Sequence, residues 1–261
     1  MKNKTLKYFL TTCFITAMLL LCNTSLFSNT DVKKLALEAN SAYNLRQYDS
    51  AANLYAQIIN SGYESAELYF NLGNTHYRLN NIPEAILYYE KSLQLNPRNK
   101  DAAFNLNIAN EQIQDKVEKL PELFYVKWFN KLTTMFSINT FAILTLVFLV
   151  LSFIGVFVFL MAKTMNWRKV GFFSTLAFVV LFTSSLLLGL TQHKNLLKHD
   201  NAIIFTPTIN VKSSPNDDSK DIFVLHEGTK VKLLDNLNDW YEIQLKDGNK
   251  GWLKKENFRV I

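Results

Sequence analysis

Residues 66–99 read AELYFNLGNTHYRLNNIPEAILYYEKSLQLNPRN, and the spacing of large, small and helix-breaking side chains in this stretch decides the fold. Tyr69, Leu72, Ile86, Tyr89 and Leu93 recur at helical spacing, which predicts two amphipathic helices that face each other. Gly73 and Ala85 are small where two antiparallel helices must approach closely. Pro83 suits the start of the second helix, where its missing N–H costs nothing, and Pro97 stops that helix because it cannot continue one.

The pattern recurs on either side. Shifted back by 34 residues it falls on 32–65, where Leu35, Ala39, Tyr43, Tyr48, Ala51 and Tyr55 keep it and Ala51 lies under Ala85. Shifted forward, Phe104, Asn105 and Leu106 fall under Phe70, Asn71 and Leu72, but Asn107 replaces Gly73. The third unit therefore reads as one capping helix that continues toward Lys119, the kind of cap that a stack of repeats requires.

With Tyr69, Leu72, Gly73, Ala85, Tyr89 and Pro97 in place, and His76 where a tyrosine is usual, residues 29–120 resemble a tetratricopeptide repeat solenoid. In that family the first helix of each pair lines a concave groove. The resemblance implies a peptide-binding groove formed by Asn40, Tyr43, Phe70, Asn71, Asn74, Tyr77 and Phe104, in which the amides meet an extended backbone and the aromatics its side chains. The competing reading leaves the aromatics as packing and the asparagines as helix-end partners. The basic residues of the carboxylate-clamp subfamily are not matched.

Two uncharged runs follow, of 31 residues between Lys131 and Lys163 and of 24 between Lys169 and Lys194. Each exceeds the roughly 20 residues that cross a hydrocarbon core. They predict membrane helices at 136–162 and 170–192, joined by a loop at 163–169. Lys163, Arg168 and Lys169 place that loop in the cytoplasm under the positive-inside rule. Residues 121–135, with Phe124, Tyr125, Trp128 and Phe129 among Glu122, Lys127 and Lys131, predict an interfacial helix. Residues 1–28 carry Lys2, Lys4 and Lys7 before an apolar stretch, the layout of a signal peptide or an N-terminal anchor. Both orientation signals put the repeats and everything after the second span in the periplasm of an inner-membrane protein.

After His199 the period changes to short alternating runs at Ala202–Phe205, Ile222–Leu225, Lys230–Leu234, Trp240–Leu245 and Gly251–Leu253, which predict five strands. With Asn210 to Pro215, His226 to Val231, Trp240 to Ile243, Asp247-Gly248 and Gly251 to Leu253 as hallmarks, residues 201–261 resemble the bacterial SH3-like domain. Such domains bind peptides or peptidoglycan. Trp240, Tyr241 and Trp252 are the candidate surface, against the reading that the tryptophans are core.

The chain thus reads as a multidomain membrane protein: an all-α repeat solenoid, a two-helix transmembrane hairpin and a C-terminal all-β barrel. The net charge is +6. Seven basic and two acidic residues lie in 121–200, around the apolar runs, so no basic patch marks a nucleic-acid surface. Cys13 and Cys22 both lie in the first apolar stretch, which leaves the soluble parts without a thiolate site. No phosphate loop, zinc-protease motif or nucleophile elbow occurs, so the expectation is no catalytic, cofactor or metal residue. The order of segments, together with Val211 to Pro215 and Phe223 to Thr229, resembles the E-type protein of the Bacteroides aerotolerance (Bat) operon. That resemblance implies protein partners in the membrane, among them von Willebrand factor A-type Bat proteins, and a MoxR-type ATPase on the cytoplasmic side. The alternative is a cell-wall-binding envelope sensor, or an accessory subunit of a wall hydrolase, that uses the barrel to bind peptidoglycan.

Overall fold

The structure, a computed structural model, describes residues 30–117, 123–197 and 200–261. The proposed signal or anchor segment, and Lys119, Pro121, Glu122 and His199, lie outside those residues.

Five helices build the solenoid: α1 (Thr30–Asn44), α2 (Tyr48–Asn60), α3 (Ala66–Arg78), α4 (Ile82–Leu95) and α5 (Lys100–Gln112). α3 starts where the Ser65 hydroxyl accepts from the Leu68 N–H, and α5 where the Asn99 side chain accepts from the Ala102 N–H. Pro83 occupies the first turn of α4. Tyr69, Leu72, Ala85 and Tyr89 are buried between the helices of the second repeat. A Cβ at position 73 would lie 2.7 Å from the Tyr89 ring, so glycine is required for the helices to meet. Pro97 sits half-buried in the turn after α4.

The cap helix is shorter than the sequence suggests. α5 stops at Gln112, and Ile113 turns away in an extended conformation with ψ 151. The physical reason lies in the C-terminal domain, which draws residues 113–117 toward itself.

That domain is one seven-stranded antiparallel sheet: β1 (Asn201–Ile204), β2 (Thr208–Lys212), β3 (Asp221–His226), β4 (Lys230–Leu237), β5 (Trp240–Gln244), β6 (Lys250–Lys254) and β7 (Phe258–Val260). The strand order is β3-β2-β6-β5-β4-β1-β7. Leu225 from one edge strand and Phe258 from the other share a single core with Val211, Val231, Ile243 and Leu253, so the sheet curls round on itself. β2 and β7 were not among the expected strands: β2 holds two apolar residues between polar ones, and β7 is three residues long, too little for a periodic signal.

The barrel docks on the solenoid. Ile203 and Ile261 are buried with Ala85, Ile86, Leu87, Leu106 and Ala109 in one cluster, against which Ile113 and Phe205 also pack. This is the end of the stack that the second helix of a third repeat would cover, and the barrel covers it instead. Gly228, with φ +83, brings its backbone so near Ile113 that a Cβ would lie 2.4 Å from the isoleucine methyl. The Asp115 carboxylate accepts from the His226 backbone N–H (2.7 Å) and the Thr229 hydroxyl (2.7 Å), and meets His226 Nδ1 at 2.8 Å. Lys230 and Glu90 form a second, half-buried pair at 2.7 Å.

α6 (Phe124–Thr133) precedes two long helices, α7 (Ile138–Met161) and α8 (Met165–Leu197), both long and apolar enough to cross a membrane. α6 exposes Phe124, Tyr125, Trp128 and Phe129. The connection between α7 and α8 is only residues 162–164, so Arg168 and Lys169 stand in the first turns of α8 rather than in a loop. Helix length is not limited by the hydrocarbon thickness, because long basic side chains reach polar surroundings from within a helix. Small residues seat α7 on α8: a Cβ at Gly171 would lie 2.5 Å from the Phe159 backbone nitrogen, and one at Gly155 2.5 Å from the Thr175 hydroxyl. The Thr145 hydroxyl donates to Ser185 Oγ at 3.0 Å. Arg98, in the turn after α4, stacks 5.7 Å from the Phe136 ring and ties the repeats to the foot of the hairpin.

A buried interface between repeats and barrel has a topological consequence. The hairpin must return the chain to the side it left, because the two domains touch.

Candidate functional site

Two adjoining cavities of about 250 and 340 Å³ run along the concave face and share Tyr43 and Asn74. Asn40, Asn44, Tyr55 and Asn71 line one end; Tyr77, Arg78, Tyr89, Asn105 and Ile108 line the other.

One hydrogen-bonding unit is repeated along the groove with the 34-residue period. The Tyr55 hydroxyl donates to Asn40 Oδ1 at 2.5 Å, and Asn71 Nδ2 reaches the same oxygen at 3.5 Å, the long limit for such a bond. One repeat on, the Tyr89 hydroxyl and Asn105 Nδ2 both donate to Asn74 Oδ1 at 2.8 Å. Two donors on each Oδ1 fix the orientation of the amide. The Nδ2 groups of Asn40 and Asn74 donate to no atom among the described residues.

Burial pushes the Tyr55 hydroxyl up to about 12, with Tyr43 and Glu67 adding to the effect. Burial likewise raises Tyr89, against the hydrogen bond from Asn105. Both hydroxyls therefore keep their protons and act as donors throughout the physiological range. Tyr77 is held by Gln112 Nε2, which donates to its hydroxyl at 2.6 Å. Arg78, exposed at the mouth, rests against the Tyr43 hydroxyl and brings a cation into a wall otherwise made of amides, phenols and Ile108.

Of the residues expected here, Asn40, Tyr43, Asn71, Asn74 and Tyr77 come together. Phe70 does not line the groove: its ring packs 6.2 Å from Tyr89 and joins the cluster shared with the barrel. Phe104 is 65% exposed and lines neither cavity, because α5 has no partner helix to turn that face inward. Asn105 was missed as a groove residue, although its offset of 34 from Asn71 was the signal that identifies it. Arg78 carries no such mark, since the other repeat has Asn44 at that offset.

On the barrel the three candidates divide. In the β5–β6 register, Trp240 is paired with Lys254 and Glu242 with Trp252, which puts both tryptophans on one face of the sheet. Ile243, Gly251 and Leu253 point the other way, into the core. Both tryptophans are half-exposed, and Lys254 stacks 5.3 Å from the Trp240 ring. Tyr241 points inward with Ile243, and its ring meets Phe258 edge-on at 5.3 Å. It is part of the packing and not of the surface.

His76, within α3, stacks on Tyr88 at 5.3 Å. Burial lowers its pKa, Glu84 opposes and Arg259 of the barrel adds to the lowering. Its Nδ1 is buried without a hydrogen-bond partner among the described residues, an unpaired polar atom that costs stability and opposes protonation of the ring.

Comparison with known families agrees with this architecture at both ends. The tetratricopeptide repeat family matches residues 37–106, from within α1 to α5, and the bacterial SH3 domain family matches residues 207–258, from β2 to β7. No curated protein matches the chain significantly. The chain therefore joins tetratricopeptide repeats and a bacterial SH3 domain, one on either side in sequence of two helices of membrane-spanning length.

Proposed function

We propose that this chain is a non-enzymatic inner-membrane scaffold whose repeats hold an extended segment of a partner protein in the periplasm. The observation that carries the reading is the repeated asparagine–tyrosine unit of the concave face. Its unused amide donors at Asn40 and Asn74 stand one repeat apart in the same groove, where they can donate to backbone carbonyls of an extended chain. Lys163, Arg168 and Lys169 at the tight connection between α7 and α8 favour a cytoplasmic hairpin tip and a periplasmic position for both domains. The partners that fit the Bat resemblance are other membrane proteins of that operon, including those with von Willebrand factor A-type domains.

Capture of partners from membranes by the full chain, compared with Asn40→Ala, Asn71→Ala and Asn74→Ala variants, tests the groove. Loss of a partner is expected, and an unchanged set of partners overturns the reading. Orientation is tested by protease added to spheroplasts, which should digest both domains. Digestion only after the inner membrane is opened would invert the topology.

A second reading makes the barrel a wall-binding module, and the exposed face with Trp240 and Trp252 favours it. Co-sedimentation of the full chain with purified sacculi, weakened by Trp252→Ala, is its expected result. Equal sedimentation of the two proteins removes it.

A further inference from the structure

The docked barrel and the groove share one helix. α5 contributes Asn105 and Ile108 to the groove wall, and its last residue, Gln112, holds Tyr77 across that wall. The next residues belong to the docking interface: Ile113 packs beside Gly228, and Asp115 is bound by His226 and Thr229. A strut of the groove, Gln112, is therefore the immediate neighbour in the chain of Ile113, whose side chain packs against the barrel. Lys230 with Glu90 and Ile203 with Ile86 extend the same interface to α4, whose Tyr89 lines the groove.

We propose that docking of the barrel and the form of the groove are coupled through α5. The barrel anchors the exit of the helix, the anchored exit keeps Gln112 on Tyr77, and release of the barrel loosens the wall made by Asn105 and Ile108. Linkage makes the effect reciprocal, so an occupant that engages this wall strengthens docking by the factor that docking strengthens its binding. The chain leaves for the membrane helices shortly after Asp115 and returns shortly before β1, whose Ile203 is buried in the interface. Both ends of the hairpin thus connect to residues of the docking interface, beside the direct contact of Arg98 with Phe136. The coupling goes beyond the scaffold reading and needs no particular occupant.

The test is hydrogen exchange on the full chain in lipid nanodiscs. Asp115→Asn with Lys230→Glu weakens docking by charge; Gly228→Leu does so sterically. In whichever variant the amides of 226–230 are freed, exchange in 103–112 should rise roughly five- to tenfold, at the lower end of couplings between sites. Residues 48–60 and 240–254 should keep wild-type protection, which shows that both domains remain folded. Freed interface amides with α5 protected as in the wild type overturn the proposal. So does failure of both variants to free the interface, since these contacts would then not hold the barrel.

A rescue separates coupling from local damage at position 115. A Cβ at residue 228 would lie 3.5 Å from the Ile113 Cβ, within disulfide range. Oxidation of an Ile113→Cys/Gly228→Cys pair, in a Cys13→Ser/Cys22→Ser background carrying Asp115→Asn with Lys230→Glu, should restore protection of 103–112. Continued fast exchange in the locked protein refutes the coupling.

Discussion

The solenoid presents two surfaces of opposite character, and the contrast separates a surface made for a ligand from one made for the fold. At its C-terminal end Ala85 and Ile86 are wholly buried under Ile203 and Ile261, and the Asp115 carboxylate has its partners in place. Along the concave face the polar groups are only half used. Asn40 and Asn74 spend their oxygens on the protein and leave their amide donors to solvent. A fold interface satisfies its polar groups internally, whereas a binding surface keeps some in reserve.

The largest effect should come from the closed surface. Ile86→Ala or Ile203→Ala should each cost about 2–5 kcal/mol. Chemical denaturation of the full chain in detergent measures this, and a loss below about 1 kcal/mol would make the interface an incidental contact. Asp115→Ala comes next: it leaves the His226 N–H and Thr229 hydroxyl unpaired, for a loss of about 1–3 kcal/mol by the same measurement.

Asp115 also fixes a pH dependence. Burial alone would raise its carboxyl, but the hydrogen bonds from His226 and Thr229 outweigh that and hold it below the usual carboxylate range. A lowered folded pKa means that its stabilisation is complete above the unfolded value of about 3.9 and fades as the pH falls through the folded value. The denaturation midpoint of the wild type should therefore fall more steeply below about pH 4 than that of Asp115→Asn, and parallel curves would remove Asp115 from the interface.

On the open surface the changes should be smaller. Asn74→Ala strands the Tyr89 hydroxyl and the Asn105 amide, and should cost about 1 kcal/mol of stability while releasing bound partner in the membrane capture assay. Phe104→Ala, on an exposed ring outside both cavities, should change stability by less than about 0.5 kcal/mol and leave partner capture intact. A larger effect of Phe104 than of Asn74 on capture would move the binding surface off the concave face.

Much of this molecule can be read in advance from local pattern. Gly73, Ala85 and Pro97 announce the repeat because close helix contact and helix termination are demands of neighbouring residues. The uncharged runs announce the membrane helices because solvation by hydrocarbon acts on each residue in turn. Asn71 and Asn105 were equally legible as a pair, since a repeat copies its chemistry at a fixed offset. β2 and β7 escaped because their pairing depends on distant strands more than on their own alternation.

What composition and period determined by themselves is the list of parts: two helical repeats with a cap, two long apolar helices and a small antiparallel barrel. Only the tertiary structure decided that Phe70 and Tyr241 face inward, that α5 ends at Gln112, and that the barrel closes the end of the stack. The reason is range. Periodicity records which face of an element is apolar, but Asp115 and His226 lie 111 residues apart, and nothing near either one in the chain specifies that they meet.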